Sequence, residues 1–238
     1  MLLDLIGAIE VGFSSAIVIG TLALGIGATL GQRLGIAAAL AAWLAVVLLL
    51  GATGALHALP TDSAEVRAVA LARFGIAGSL PLLAMVAGVL AIRPLREGLI
   101  NMPIATLVGV NAIRVVGVLF IILYGAGRLP APFAPVAGWG DLLVGALAIP
   151  LALATRAAQN RRWLLAWNAL GLADLITAVS LAITAQVTPG VVGTNGMTLL
   201  PWLLIPGFLV PLFAGTHLAI FYKLLRARST SNPAVAFA

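Results

Sequence analysis

Short charged or Pro/Gly-rich breaks divide the chain into seven apolar runs, at roughly 5–30, 34–56, 67–92, 101–124, 139–155, 162–186 and 198–225. About 20 mainly apolar residues suffice for a helix to cross the hydrocarbon of a bilayer. Inside that hydrocarbon only helices and closed barrels satisfy their own backbone polar groups. Apolar and polar residues do not alternate with period two, which argues against a barrel. The expected fold is therefore all-α: an integral membrane bundle of about seven transmembrane helices. The fifth run is short and is expected to borrow residues from the loop before it.

Charge is scarce enough to exclude whole classes of function. Only 8% of the residues are charged while 62% are hydrophobic, against about 25% charged in an average soluble domain. A water-soluble globule could not cover its surface with so few polar groups. Soluble enzymes, nucleic-acid-binding domains and disordered chains are thus ruled out. The N-terminal stretch lacks the basic start of a cleavable signal peptide and carries Asp4 and Glu10, so it reads as a retained span.

The net charge of +6 becomes informative once the basic residues are placed. With seven spans, Arg33, Arg93, Arg96, Arg156, Arg161, Arg162, Lys223, Arg226 and Arg228 fall on one side. Arg67, Arg73 and Arg128 fall on the other, and Arg114 lies within a span. Cytoplasmic loops carry the excess of Lys and Arg, so the C-terminus is expected in the cytoplasm and the N-terminus outside. The membrane is expected to be a plasma or inner membrane. Residues 1–228 read as one polytopic transmembrane domain and 229–238 as a disordered cytoplasmic tail.

Ionisable residues inside a span are costly and mark candidate functional positions. At about 1.5 Å per helical residue, Arg114 in the fourth span and Asp174 in the sixth reach similar depth with opposite charge. They are expected to pair, and Asp141 is a second acid that Arg114 could reach. The same count sets Asp141 nearer the surface, about 10 Å from the depth of Asp174. Glu10, Arg114, Asp141 and Asp174 form the expected ligand-binding or proton-relay set. Glu10, Ser14 and Thr21 recur on one helical stripe.

Asn111, Asn168, Trp139 and Trp202 are expected to support these four. Three segments look like a motif set: Asn111-x-x-Arg114-x-x-Gly117, Gly138-Trp139-Gly140-Asp141 and Trp167-Asn168-x-x-Gly171-x-x-Asp174. Pro201, Pro206 and Pro211 make the last span the one expected to kink, with freed carbonyls that could line a cavity. His217 reads as a packed or hydrogen-bonded histidine, since no second ligand sits at its depth.

Several familiar chemistries fail on composition. There is no cysteine, and two histidines, His57 and His217, are too few for an all-histidine metal site. The only lysine, Lys223, sits at the end of the last span, where it cannot serve as a mid-membrane Schiff-base lysine. No nucleophile–base constellation or phosphate-binding glycine loop is visible. No cofactor and no metal are expected, and an enzyme is the weaker reading. The leading expectation is binding or transport of a small polar or charged solute through an outward-facing polar cavity, with proton coupling. The alternative is a non-catalytic membrane subunit or scaffold of a larger complex. Expected partners are membrane lipids, a small solute, and a membrane protein or a second copy of the chain.

Overall fold

A computed structural model describes residues 1–59, 61–155, 161–188 and 193–230, with the side chains of 227–230 excepted. Arg156, the side chain of Arg228 and residues 231–238 of the expected tail lie outside the described residues. Seven helical segments are long and apolar enough to cross a membrane. Every regular element among the described residues is helical.

The first two spans are α1 (Leu2–Ile26) and α2 (Leu30–Thr53). The break between the first two apolar runs, at 31–33, lies inside α2, which already starts at Leu30. Thr29 and Gln32 form a reciprocal capping box, in which Gln32 N–H donates to Thr29 Oγ1 and Gln32 Oε1 accepts from Thr29 N–H. Arg33, now inside the helix, turns back so that Nε donates to the carbonyl of Gly27 at 2.9 Å and finishes α1. At its other end α2 stops at Gly54, whose φ of 66° is the left-handed conformation that glycine adopts without strain.

The third span, α3 (Ala64–Ala91), is capped by Ser63 and followed by the short α4 (Arg93–Asn101). Lys223 secures the end of α4 from the far end of the chain, its ammonium donating to the carbonyls of Leu99, Ile100 and Met102. The fourth span is composite: α5 (Ile104–Gly109), a 3-10 segment (Val110–Gly117) and α6 (Val118–Gly125). The fifth, α7 (Phe133–Ala154), starts six residues before the expected boundary and so reaches spanning length from the preceding loop. The sixth is α8 (Arg161–Val187). On its exposed side Thr177, Ser180 and Thr184 each donate a hydroxyl to the carbonyl one turn earlier, which satisfies them without water.

The seventh span begins in a π-helical turn (Ile205–Leu209) and continues as α9 (Val210–Thr230). The expected disturbance at the prolines is therefore present. Pro211 has no N–H to offer the carbonyl of Gly207, four residues earlier. That carbonyl is taken up by Trp43 of α2, whose Nε1 donates to it at 3.1 Å. The freed group holds two helices together rather than lining a cavity.

The last span is central. It packs against α3, α5 and α8, and its π turn against α1, α2 and α3. The tightest association in the bundle is between α7 and the 3-10 segment, and the functional cluster lies there.

Candidate functional site

The fourth span carries Asn111, Arg114 and Gly117 three apart. In a 3-10 helix side chains three apart eclipse one another. The local tightening over Val110–Gly117 therefore stacks these residues on one side, and all three are buried. Gly117 meets the Cβ of Asp141, so no side chain could stand there without moving α7 away.

Arg114 is the centre of the cluster, and its side chain is 0% exposed. Nε donates to Asp141 Oδ1 at 2.7 Å, and Nη2 donates to Asp174 Oδ2 at 2.5 Å. Nη1 lies 3.1 Å from the carbonyl of Gly171 and 3.1 Å from His217 Nε2. Four elements thus converge on one guanidinium: the 3-10 segment, α7, α8 and α9. The expected Arg114–Asp174 pair is present, and Asp141 joins it.

The depth separation expected between the two acids is not found. Because α7 starts at Phe133, Asp141 lies two turns inside its helix rather than at its mouth. Glycine enables the approach of the neighbouring helices. A Cβ at Gly140 would strike the carboxylate of Asp174, and one at Gly145 would lie 2.7 Å from the backbone nitrogen of Val115.

The hydrogen-bond pattern fixes the form of His217. Asn168 uses its amide nitrogen on the His217 carbonyl at 3.0 Å, so its Oδ1 is the acceptor facing His217 Nδ1 at 2.8 Å. Nδ1 therefore carries the proton, and the bare Nε2 accepts from Arg114. Trp167 lies against the imidazole at 5.3 Å between ring centroids and donates Nε1 to the carbonyl of Val144. His217 is thus the packed, hydrogen-bonded histidine expected from the sequence, and its partners are Asn168 of the sixth span and Arg114 of the fourth.

Asn111 extends the network. Its amide donates to the Leu107 carbonyl at 2.9 Å and to Thr216 Oγ1 at 3.1 Å. Its Oδ1 is the one fully buried side-chain polar atom without a partner among the described residues.

The remaining expected residues lie elsewhere. Glu10 is exposed on α1 and joins no salt bridge among the described residues, although Ser14 on the same stripe is buried. The stripe follows the edge of the packed face rather than its centre. Trp139 is 64% exposed, and only its neighbours Gly138, Gly140 and Asp141 face the cluster. Trp202 is buried in a different group, its Nε1 donating to Asp4 Oδ1 at 3.0 Å. Arg128 Nη2 donates to the same oxygen at 2.7 Å, and its guanidinium lies 5.7 Å from the Trp202 ring centroid. This Asp4–Arg128–Trp202 clasp ties α1, the loop after α6 and the approach to the last span. Asp4 gave no sequence signal beyond being an acid near the start of an apolar run.

Chemically, the Arg114 cluster holds one fixed positive charge between two carboxylates, beside a neutral imidazole. One proton on either acid makes it neutral, and loss of that proton leaves one uncompensated negative charge. The carboxylates are also its least enclosed members, at 17% exposure for Asp141 and 9% for Asp174. Among the described residues no group of three His, Asp or Glu side chains is placed to hold a metal ion.

Residues 71–225 match the family model described as Domain of unknown function (DUF8737), and the chain belongs to that family. The matched region contains every residue of the Arg114 cluster and leaves out Asp4 and Glu10. No curated protein and no solved structure matches the chain.

Proposed function

We propose that this member of the DUF8737 family binds and carries a small anion together with a proton, with Arg114 as the anchoring charge and Asp141 and Asp174 as the proton-accepting pair. The observation that carries this reading is the shared guanidinium: one buried Arg114 is held by two carboxylates where one would neutralise it. In a low-dielectric interior the cluster is most stable with no net charge. At rest that condition is met by one ionised and one protonated acid.

A solute carboxylate or phosphate would take the place of the ionised aspartate on Arg114. The displaced aspartate would then take up one proton, so that anion and proton enter together and the cluster stays neutral. His217, fixed as the neutral tautomer by Asn168, holds the guanidinium without adding charge. The positive-inside distribution supports an N-terminus outside, in a plasma or inner membrane.

The test is uptake into proteoliposomes loaded with a pH-sensitive dye, using a panel of small carboxylates and inorganic phosphate. Lumenal acidification should accompany one class of anion, be abolished in Arg114→Ala and be strongly reduced in Asp174→Asn. Equal uptake by the wild type and both variants would remove this mechanism.

A second reading, a non-catalytic membrane subunit or scaffold, is favoured by one observation. The Arg114 guanidinium is fully enclosed, as suits a pair that locks helices together. Purification in mild detergent separates the readings: stoichiometric recovery with a larger complex supports the subunit, and a species containing only this chain supports the carrier.

A further inference from the structure

Two opposite charges lie within the spans, exposed on the outside of the bundle. Glu10 on α1 and Arg73 on α3 are both exposed, and neither makes a hydrogen bond or salt bridge among the described residues. Their depths agree. At about 1.5 Å per residue, Glu10 lies roughly 24 Å from the Ile26 end of α1 and Arg73 roughly 27 Å from the Ala91 end of α3. Both ends belong to the same side of the bundle, since α1 and α3 each follow an even number of crossings. The two charges therefore occupy the same leaflet, on a surface that lipid would cover.

The helix between them is nearly unburied. Of α2 only Val47 and Gly51 are buried, and of α3 only Ala70. Helix α1 packs on α2, while α2 and α3 border one shallow cleft floored by Leu203, Pro206 and Gly207. The three helices therefore follow one another along a single side, with α2 in the middle. The outer surface of α2 is small-sided at Gly31, Gly35, Ala38 and Ala42, all exposed, toward its Leu30 end and so away from the depth of the two charges. Small residues let helices in a membrane approach closely, but here the two charges, on the helices flanking α2 and nearer its other end, specify the partner.

We propose that two copies of this chain pair in the membrane across α1–α3, with α2 against α2 and Glu10 of each copy facing Arg73 of the other. A twofold axis through the α2 contact exchanges α1 and α3 between the copies, so one complementary pair is made twice. Each ionisable group then gains the partner that its own chain does not supply, as charges within the bilayer require. A lipid-covered monomer would leave Glu10 uncompensated, because an acid lacks the long stem by which Arg73 could reach the headgroups.

The chain has no cysteine, so an introduced pair reports alone. Phe13 and Ile76 are exposed one turn from the two charges, at 65% and 61%. The full chain carrying Phe13→Cys and Ile76→Cys, in phospholipid nanodiscs, should form a cross-linked dimer under mild oxidation. Adding Glu10→Arg should lower the cross-linked fraction about tenfold, the scale of a polar contact between membrane helices. Adding Arg73→Glu as well should restore it. Neither residue packs within its own chain, so circular dichroism and thermal unfolding of the monomer should be unchanged by either reversal. A single-copy mass in nanodiscs, cross-linking indifferent to Glu10→Arg, or failure of the double reversal to restore it would each overturn the proposal.

Discussion

Arg114 Nη2 lies 2.5 Å from Asp174 Oδ2, although the two residues are sixty positions apart in the chain and on different spans. The contact is end-on rather than bidentate, because Nε of the same guanidinium is committed to Asp141. One cation therefore fixes the relative positions of α7 and α8 as well as its own. Reversing one charge of the cluster leaves buried like charges face to face, at a cost of at least about 3–5 kcal/mol. Arg114→Asp and Asp174→Arg should each abolish a monodisperse peak in detergent, and the double reversal should recover part of it. Size-exclusion chromatography of the three variants decides the matter.

The excess acid makes a sharper prediction. Asp141→Asn and Asp174→Asn each leave one carboxylate opposite Arg114, so each single variant should fold with a loss of no more than about 2 kcal/mol. The double variant leaves the guanidinium uncompensated and should lose about 3–5 kcal/mol, well beyond the sum of two small effects. Thermal unfolding of the four proteins in one detergent measures this non-additivity. Two equal and additive losses would mean that the acids act independently of Arg114.

Glycine positions test the helix approach separately from the charges. A methyl at Gly145 meets the backbone of Val115, which cannot rotate out of the way, whereas Gly12 has open space around its missing Cβ. Gly145→Ala should therefore destabilise by about 1–3 kcal/mol, the usual cost of overpacking. Gly12→Ala should not lower the unfolding temperature.

The sequence exposed the membrane fold because bilayer thickness converts directly into run length, which six runs met and the fifth approached. It also pointed to Arg114 and Asp174, because a charge within an apolar run stands out and depth can be counted from its ends. The count failed for Asp141 because it depends on where the helix starts. Phe133–Gly138 reads as loop beside Pro130, Pro132 and Pro135, yet belongs to α7. For His217 the sequence suggested a packed or hydrogen-bonded side chain but not its partners, which arrive from other spans, and lateral neighbours in a bundle leave no trace in periodicity. The spacing Asn111-x-x-Arg114-x-x-Gly117 held more information than an α-helical reading extracts. A strict repeat of three is the period of the 3-10 segment that the structure adopts.

The Asp4 clasp was hidden from the sequence by the same lateral problem, and it yields to a double-mutant cycle. Asp4 Oδ1 accepts from both Arg128 and Trp202, while the indole is only 2% exposed. Asp4→Asn keeps a side-chain oxygen for Trp202 Nε1 and loses the charge that attracts Arg128 and the Met1 ammonium, exposed pairs of small worth. Asp4→Ala removes the acceptor and leaves a buried indole N–H unpaired, which costs about 1–3 kcal/mol. The unfolding temperature should therefore fall in the order wild type, Asp4→Asn, Asp4→Ala. Trp202→Phe removes the stranded donor, so it should cost clearly less in the Asp4→Ala background than in the wild type. Equal costs in the two backgrounds would show that Asp4 and Trp202 touch without stabilising each other, and that the start of α1 is held by its apolar face alone.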